Sequence, residues 1–205
     1  MQSALRRLVL VRHGETAGES SIRYHGVTDV ALNDLGRRQM ERVGHALAVE
    51  EFEAVYTSAL QRTVTAAHLI APRHPPRVVS GFNEINFGLW EGLTREEIAA
   101  RHPDLYREWR AGMHAFTYPS GDAVPAFRQR VAEAWNTLYL AAPEHALIVA
   151  HKGVISTIVT ELLRLSLAER GAWPIDLASI HILRATPDGW AAEAINDVRH
   201  LEDLT

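Results

Sequence analysis

An α/β fold, a three-layer α/β/α sandwich around a mostly parallel central sheet, is predicted by two features of this sequence. The first is a set of short, continuous apolar runs, at residues 8–11, 54–56 and 146–150. Runs without polar alternation suit strands covered on both faces. The second is that helical stretches separate these runs. Strands alternating with helices imply crossover connections, and hence parallel pairing with helices on both faces.

Each element has its own signal. Asn33 and Asp34 open a helical stretch that runs to about Val49, and residues 60–70 form a second helix stopped by Pro72. Residues 77–80 read as a third strand. Thr94 caps a helix over residues 95–101, with Glu97 at the N3 position of a capping box. Residues 102–121 are irregular and rich in aromatics (Trp109, Phe116, Tyr118), a stretch compatible with a helical lid. Residues 124–140 place Phe127, Val131, Trp135 and Leu138 at helical spacing, and residues 154–163 make a further helix. Residues 178–183 and 190–195 read as closing strands that bring antiparallel character. With no repeat, linker or low-complexity stretch, residues 1–205 read as a single domain.

Composition bounds the chemistry. The chain has 205 residues, 47% apolar and 22% charged, as an ordinary globular domain does. A net charge of -4 argues against nucleic acid as the main partner, so any anion must be held by a local basic site. With no cysteine, disulfides, thiol catalysis and cysteine-ligated zinc are excluded. No apolar run approaches a membrane span, and the run after Arg6 and Arg7 is too short for a signal peptide. A cytoplasmic protein with no membrane partner is expected. A homodimer is compatible with the sequence and not required by it.

In open α/β sheets ligands bind beyond the carboxyl ends of the strands, and four chemically loaded segments fall there. Residues 12–16 read Arg-His-Gly-Glu-Thr directly after the first strand, with Gly14 allowing close backbone approach to a ligand. Arg62 lies near the start of the second helix, where exposed N–H groups and a guanidinium fork both favour an anion. Glu84 sits among apolar residues, which would raise its pKa toward a range useful for proton transfer. His151, followed by Lys152 and Gly153, ends a buried strand as His13 does. Each alone is compatible with a solvated or structural side chain. Together, two arginines, two histidines and a carboxyl at one rim are what phosphoryl transfer needs: an imidazole to attack phosphorus, cations on the equatorial oxygens, and an acid for the leaving alcohol.

At this point the sequence resembles the histidine phosphatase superfamily, the phosphoglycerate mutase-like family, over nearly its whole length. The resemblance rests on residues 12–16, on the segment from Tyr24 to Leu32 followed by Leu35 and Gly36, and on Ser58, Leu60 and Arg62. It also rests on residues 87–92 after Glu84, on His151, and on the ending from Ile195 to Leu201. It implies a phosphoglycerate mutase-like fold and a phosphomonoester hydrolase that forms a phosphohistidine. His13 would be the nucleophile, Arg12, Arg62 and His151 the phosphate pocket, and Glu84 the acid and then the base for water. Gly14, Thr16, His25, Phe87 and Lys152 are assigned to the substrate pocket. No metal and no organic cofactor is implied, and the partner is a small phosphorylated metabolite, with α-ribazole phosphate or a sugar phosphate as candidates.

Several positions depart from the family pattern, and the Gly-Glu-Ser that often precedes the long helix is matched only loosely by Gly121, Asp122 and Ala123. Glu19 stands where many members carry a phosphate-binding Asn, and would repel phosphate unless it turns away. Lys152 stands where many carry a small residue. The segment after Glu84 resembles the phosphatase branch more than the mutases, which are longer and use extra basic residues there. Phosphoglycerate mutase remains the alternative, and a non-catalytic phosphate-ligand or protein-binding module the alternative of another class.

Overall fold

The structure is a computed structural model that describes residues 4–166, 169 and 173–204. Its strands are β1 (Arg7–Arg12), β2 (Ala54–Thr57), β3 (Arg77–Val78), β4 (His145–Ala150), β5 (Ile180–Thr186) and β6 (Gly189–Asp197). They form a six-stranded sheet in the order β3-β2-β4-β1-β5-β6. The first four strands pair in parallel, whereas β5 and β6 run antiparallel, so the sheet is mixed.

The helices are α1 (Asp34–Ala46), α2 (Gln61–Ile70), α3 (Arg95–Arg101), α4 (Pro103–Gly112), α5 (Val124–Ala141) and α6 (Lys152–Leu163). Because strand side chains alternate, β1 sends Leu8 and Leu10 to one core and Val9 and Val11 to the other. One core is completed by Met40 and Val43 of α1 with Ala66, Ala67 and Ile70 of α2. The other holds Phe127, Val131 and Trp135 of α5 and Val154, Ile155 and Ile158 of α6. The expected three-layer arrangement is therefore present, with continuous apolar runs because both faces of the strands are covered.

Local signals acted as expected at two helix starts. Asn33 caps α1 by accepting from Gly36 N at 2.8 Å. The Thr94 and Glu97 side chains exchange bonds with each other's backbone N–H, the reciprocal pattern of a capping box.

Elsewhere the boundaries differ for physical reasons. Helix α1 stops at Ala46, short of Val49, and the chain turns with Leu47 buried as it heads toward β2. Strand β3 is only two residues long, because Ser80–Phe82 coils into a 3-10 turn that buries Phe82. Helix α6 begins at Lys152 rather than Val154, directly after His151. Strand β5 starts at Ile180, not Ala178, since Ala178 has a left-handed φ of 59° that breaks extended pairing. The stretch read as irregular contains α4, opened by Pro103, whose fixed φ suits a first turn. Trp109 of α4, with Phe116 and Tyr118 beyond it, is buried against Trp90, which gives this segment a packed aromatic floor.

Candidate active site

The sheet register brings the chemistry together. Arg12 of β1 pairs with Ala150 of β4, and His13 N donates to Ala150 O at 3.1 Å. The residues just past that pair, His13 and His151, consequently lie with ring centroids 5.2 Å apart. On the other side of β4, Thr57 pairs with Val149, so Ser58 emerges beside His151 and its Oγ lies 2.8 Å from His151 Nε2.

His13 is buried, and its Nδ1 lies 2.8 Å from the carbonyl oxygen of Gly14. A carbonyl only accepts, so the ring proton sits on Nδ1 and Nε2 keeps an open lone pair. Burial, then the guanidiniums of Arg62 and Arg12, push the pKa of His13 well below the ordinary histidine value. The imidazole is therefore neutral near pH 7.

Glu84 follows the Ser80–Phe82 turn and is buried. Its Oε2 accepts from Gly153 N at 2.9 Å and its Oε1 from Ile85 N at 3.0 Å. Burial raises its pKa above the ordinary carboxylate value, although both N–H bonds and the charges of Arg62 and Arg12 oppose that. A carboxyl held this way can carry a proton closer to neutrality than an exposed one.

The two arginines differ. Arg12 donates from Nη1 to Ile175 O at 2.9 Å, and its Nε is buried with no partner among the described residues. Burial lowers its pKa to about 10, so it remains a cation. Arg62 is fully buried at the start of α2. It donates from Nη1 to Thr28 O at 2.8 Å, from Nη2 to Gly26 O at 2.6 Å, and from Nε to His151 Nδ1 at 3.3 Å. The N–H groups of Gly26, Val27 and Thr28 in turn point to the Glu91 carboxylate. The 25–28 segment is thus gripped through its carbonyls by Arg62 and through its amides by Glu91.

A cavity of about 890 Å³ opens over this floor. Of the residues read from the sequence, Arg12, His13, His25, Glu84, Phe87 and Lys152 line it. Arg62 and His151 lie outside the cavity wall, with the His151 ring centroid 5.2 Å from that of His13 and Arg62 Nε donating to His151 Nδ1. Gly14 and Thr16 lie outside the cavity wall. A methyl group on Gly14 would meet Gly36 O at 2.7 Å, so this glycine serves close packing of the turn after β1 against α1 rather than approach to a ligand. Thr16 is buried with its Oγ1 2.7 Å from Ser20 Oγ. Glu19 has a left-handed φ of 60° and pairs with Arg23 at 3.1 Å, which turns its charge outward.

Sequence reasoning missed most of the wall. Ser20 to Tyr24, Arg95, Asp176, Val198, Leu201 and Glu202 also face the cavity. The segment between the Arg-His-Gly run and Tyr24 could have been suspected from its position alone. The C-terminal part could not, because only the folded sheet brings it across.

Among the described residues no group of three or more His, Asp or Glu side chains is arranged to hold a metal. No helix among them is long and apolar enough to cross a membrane.

Comparison with known proteins agrees with this geometry. Residues 8–198 match the profile of the histidine phosphatase superfamily (branch 1). The chain is 33% identical to an acid phosphatase of Mycobacterium tuberculosis, covering 86% of this chain and 85% of that one. It is 27% identical to the metal-independent phosphoserine phosphatase of Arabidopsis thaliana, covering 100% of this chain and 87% of that one. The solved α-ribazole phosphatase of Shigella flexneri superposes with a TM-score of 0.83 at 25% identity, covering 93% of this chain and 96% of that one.

Proposed function

The chain belongs to the histidine phosphatase superfamily (branch 1), and from that premise we propose that it hydrolyses a small phosphorylated metabolite, with His13 as the nucleophile and Glu84 as the proton carrier. The observation that carries these roles is the His13 Nδ1 contact with Gly14 O at 2.8 Å, which leaves Nε2 free inside a cavity that also holds Glu84.

In the first step His13 Nε2 attacks phosphorus, and the bond from phosphorus to the ester oxygen breaks. That oxygen takes the electron pair and receives the Glu84 proton, so the alcohol leaves. In the second step a water gives its proton to Glu84 as its oxygen attacks the phosphohistidine. Phosphate departs and His13 regains its lone pair. Arg12, Arg62 and His151 meet the equatorial oxygens in both steps.

The cavity wall bears on the substrate. Tyr24 and Phe87 suit a flat or apolar leaving group, while Arg95 and Lys152 suit an anionic substituent on it. Phosphoserine and α-ribazole phosphate, the compounds named by two relatives, are therefore the first substrates to try. A cytoplasmic setting belongs to the same reading, supported by a cysteine-free sequence and the lack of a membrane-spanning helix among the described residues.

The test is a panel of phosphomonoesters that includes 3-phosphoglycerate, with released phosphate measured with and without EDTA. Stoichiometric phosphate release that EDTA leaves unchanged is expected. Efficient exchange between 3- and 2-phosphoglycerate with little free phosphate would replace this reading by the mutase. Activity lost in EDTA and restored by a divalent metal would remove the mechanism.

A further inference from the structure

Ser58, conspicuous in the sequence only as part of the Arg62 segment, stands at the centre of a buried hydrogen-bond chain. Its Oγ lies 2.8 Å from His151 Nε2 and 2.7 Å from Thr63 Oγ1, and it also accepts from Leu60 N at 3.1 Å. Thr63 Oγ1 donates to Leu60 O at 2.9 Å. At the opposite end, Arg62 Nε lies 3.3 Å from His151 Nδ1. Ser58, Arg62 and Thr63 are wholly buried and His151 nearly so.

Two fixed groups give this chain a direction. A guanidinium Nε always carries a hydrogen, so the His151 nitrogen facing it must be the bare one. A carbonyl only accepts, so the Thr63 hydroxyl engaged on Leu60 O presents its lone pairs to Ser58. Ser58 then donates to Thr63 and accepts from His151. Both ends ask for the same tautomer of His151, with its proton on Nε2, opposite to that of His13.

We propose that Ser58 and Thr63 are positioning residues, a hydroxyl relay that holds the single proton of the empty enzyme's His151 on Nε2, and that phosphate binding adds a second proton at Nδ1. This rests on the reading of His151 as part of the phosphate site. With an oxygen of phosphate in place, the long contact between Arg62 and His151 breaks, and Arg62 Nε–H and the new His151 Nδ1–H both turn toward the anion. The added proton comes from solvent or from a monoanionic phosphate ester, so charge and atoms balance. In the empty site, burial first, then Arg62, the neighbouring His13, Arg12 and Arg130, all disfavour that proton. A bound phosphate dianion reverses the balance.

The experiment is nitrogen-15 NMR of histidine-labelled full-length protein, free and saturated with inorganic phosphate, with one-bond N–H couplings identifying protonated nitrogens. The free enzyme should show His151 protonated at Nε2 alone, and the phosphate complex at both nitrogens. In Ser58→Ala and Thr63→Val the Nε2 preference should weaken, with kcat falling about tenfold, the loss one ordinary hydrogen bond supplies. If Ser58→Ala fails to fold, Thr63→Val carries the relay arm, because wild-type protein reads the tautomer and the variant reads what holds it. Nδ1–H in the free enzyme, or a bare Nδ1 in a complex where the His13 signals have moved, overturns the relay. Unmoved signals at both histidines in saturating phosphate overturn the phosphate-site reading instead.

Discussion

Gly153 N donates to Glu84 Oε2 at 2.9 Å, a bond from the first turn of α6 to a carboxyl 69 residues earlier in the chain. The absence of a side chain is what permits it. A methyl group on Gly153 would lie 2.5 Å from Glu84 Oε1 and 3.0 Å from Phe127 Cε1.

Gly153→Ala should therefore displace the carboxyl while leaving His13 in place. Turnover of alkyl phosphates should drop by about tenfold or more, and folding stability by about 1–3 kcal/mol, as for an overpacked core site. Aryl phosphates, whose leaving groups need little protonation, should suffer less in the phosphorylation step. Parallel kinetics on both substrate types with a thermal melt check this, and equal losses on the two would mean that the Glu84 proton is not what the methyl group disturbed.

The pH profile follows from two opposed shifts. His13 must be neutral, and burial with nearby arginines lowers its pKa well below 6.5, so activity falls in acid only once His13 gains a proton there. Glu84 must be protonated, and burial raises its pKa above 4.5, so activity with alkyl phosphates falls as rising pH ionises it. The kcat/KM curve should be a bell whose acid limb belongs to His13 and whose alkaline limb belongs to Glu84. Glu84→Gln should remove the alkaline limb, and persistence of that limb would assign it to another group.

The covalent intermediate should be trappable. Glu84→Gln keeps the shape of the side chain but cannot take the proton of water, so an acid-labile phosphohistidine should accumulate from an aryl phosphate. His13→Ala should show neither turnover nor label. Rapid quench and peptide mapping read the outcome, and label on a residue other than His13 defeats the assignment.

Arg62 joins His151 to the carbonyls of Gly26 and Thr28, so its loss acts on both the phosphate and the fold. Arg62→Ala should cost about 2–4 kcal/mol of transition-state stabilisation, by analogy with an oxyanion donor. It should also lower Tm, because the carbonyls of His25, Gly26 and Thr28 and the buried His151 Nδ1 lose their donor. Arg62→Lys should restore little, since a point charge cannot span both carbonyls and His151. Near wild-type kcat/KM in the Ala variant would reduce Arg62 to a structural clamp.

A separate buried histidine predicts acid sensitivity. His181 accepts at Nδ1 from Asn196 N (3.2 Å) and Trp173 Nε1 (3.3 Å), and burial lowers its pKa from 6.5 to about 4. Its folded pKa is depressed, so its contribution is intact above pH 6.5 and is lost as pH falls toward the folded value. The loss should reach about 3 kcal/mol by pH 4. Denaturant melts across that range should show it, and His181→Gln, which keeps an acceptor, should flatten the decline. An unchanged slope in the variant would place the acid sensitivity elsewhere.

What the sequence made legible was local. Residues 8–11 announced a doubly covered strand by having no polar alternation, and Thr94 with Glu97 announced a cap by spacing alone. Rim chemistry was legible because a single-residue step past a parallel pair puts His13 and His151 together. The rest depended on distant contacts. Arg62 looked like a surface anion site, and only the folded 25–28 segment shows its carbonyl partners. Ala178 carries no signal in its side chain for the left-handed turn that delays β5. Tyr106 and Trp109 stack on one face of α4, yet their stretch looked irregular because its aromatics pack against Trp90 from elsewhere in the chain.

The cavity floor and its walls come from different kinds of structure. His13 extends from a strand end fixed by inter-strand bonds, whereas Ser20 to His25 and the turn around Leu201 rise from connecting chain. Side chains on the loops can therefore change while the strand ends hold the reacting atoms, provided the loop backbone still offers its carbonyls to Arg62. New side chains on that backbone trade one leaving alcohol for another, while the reacting atoms stay in register. A chimera carrying a relative's 20–25 loop on this sheet would inherit the donor's taste in substrates and the recipient's chemistry.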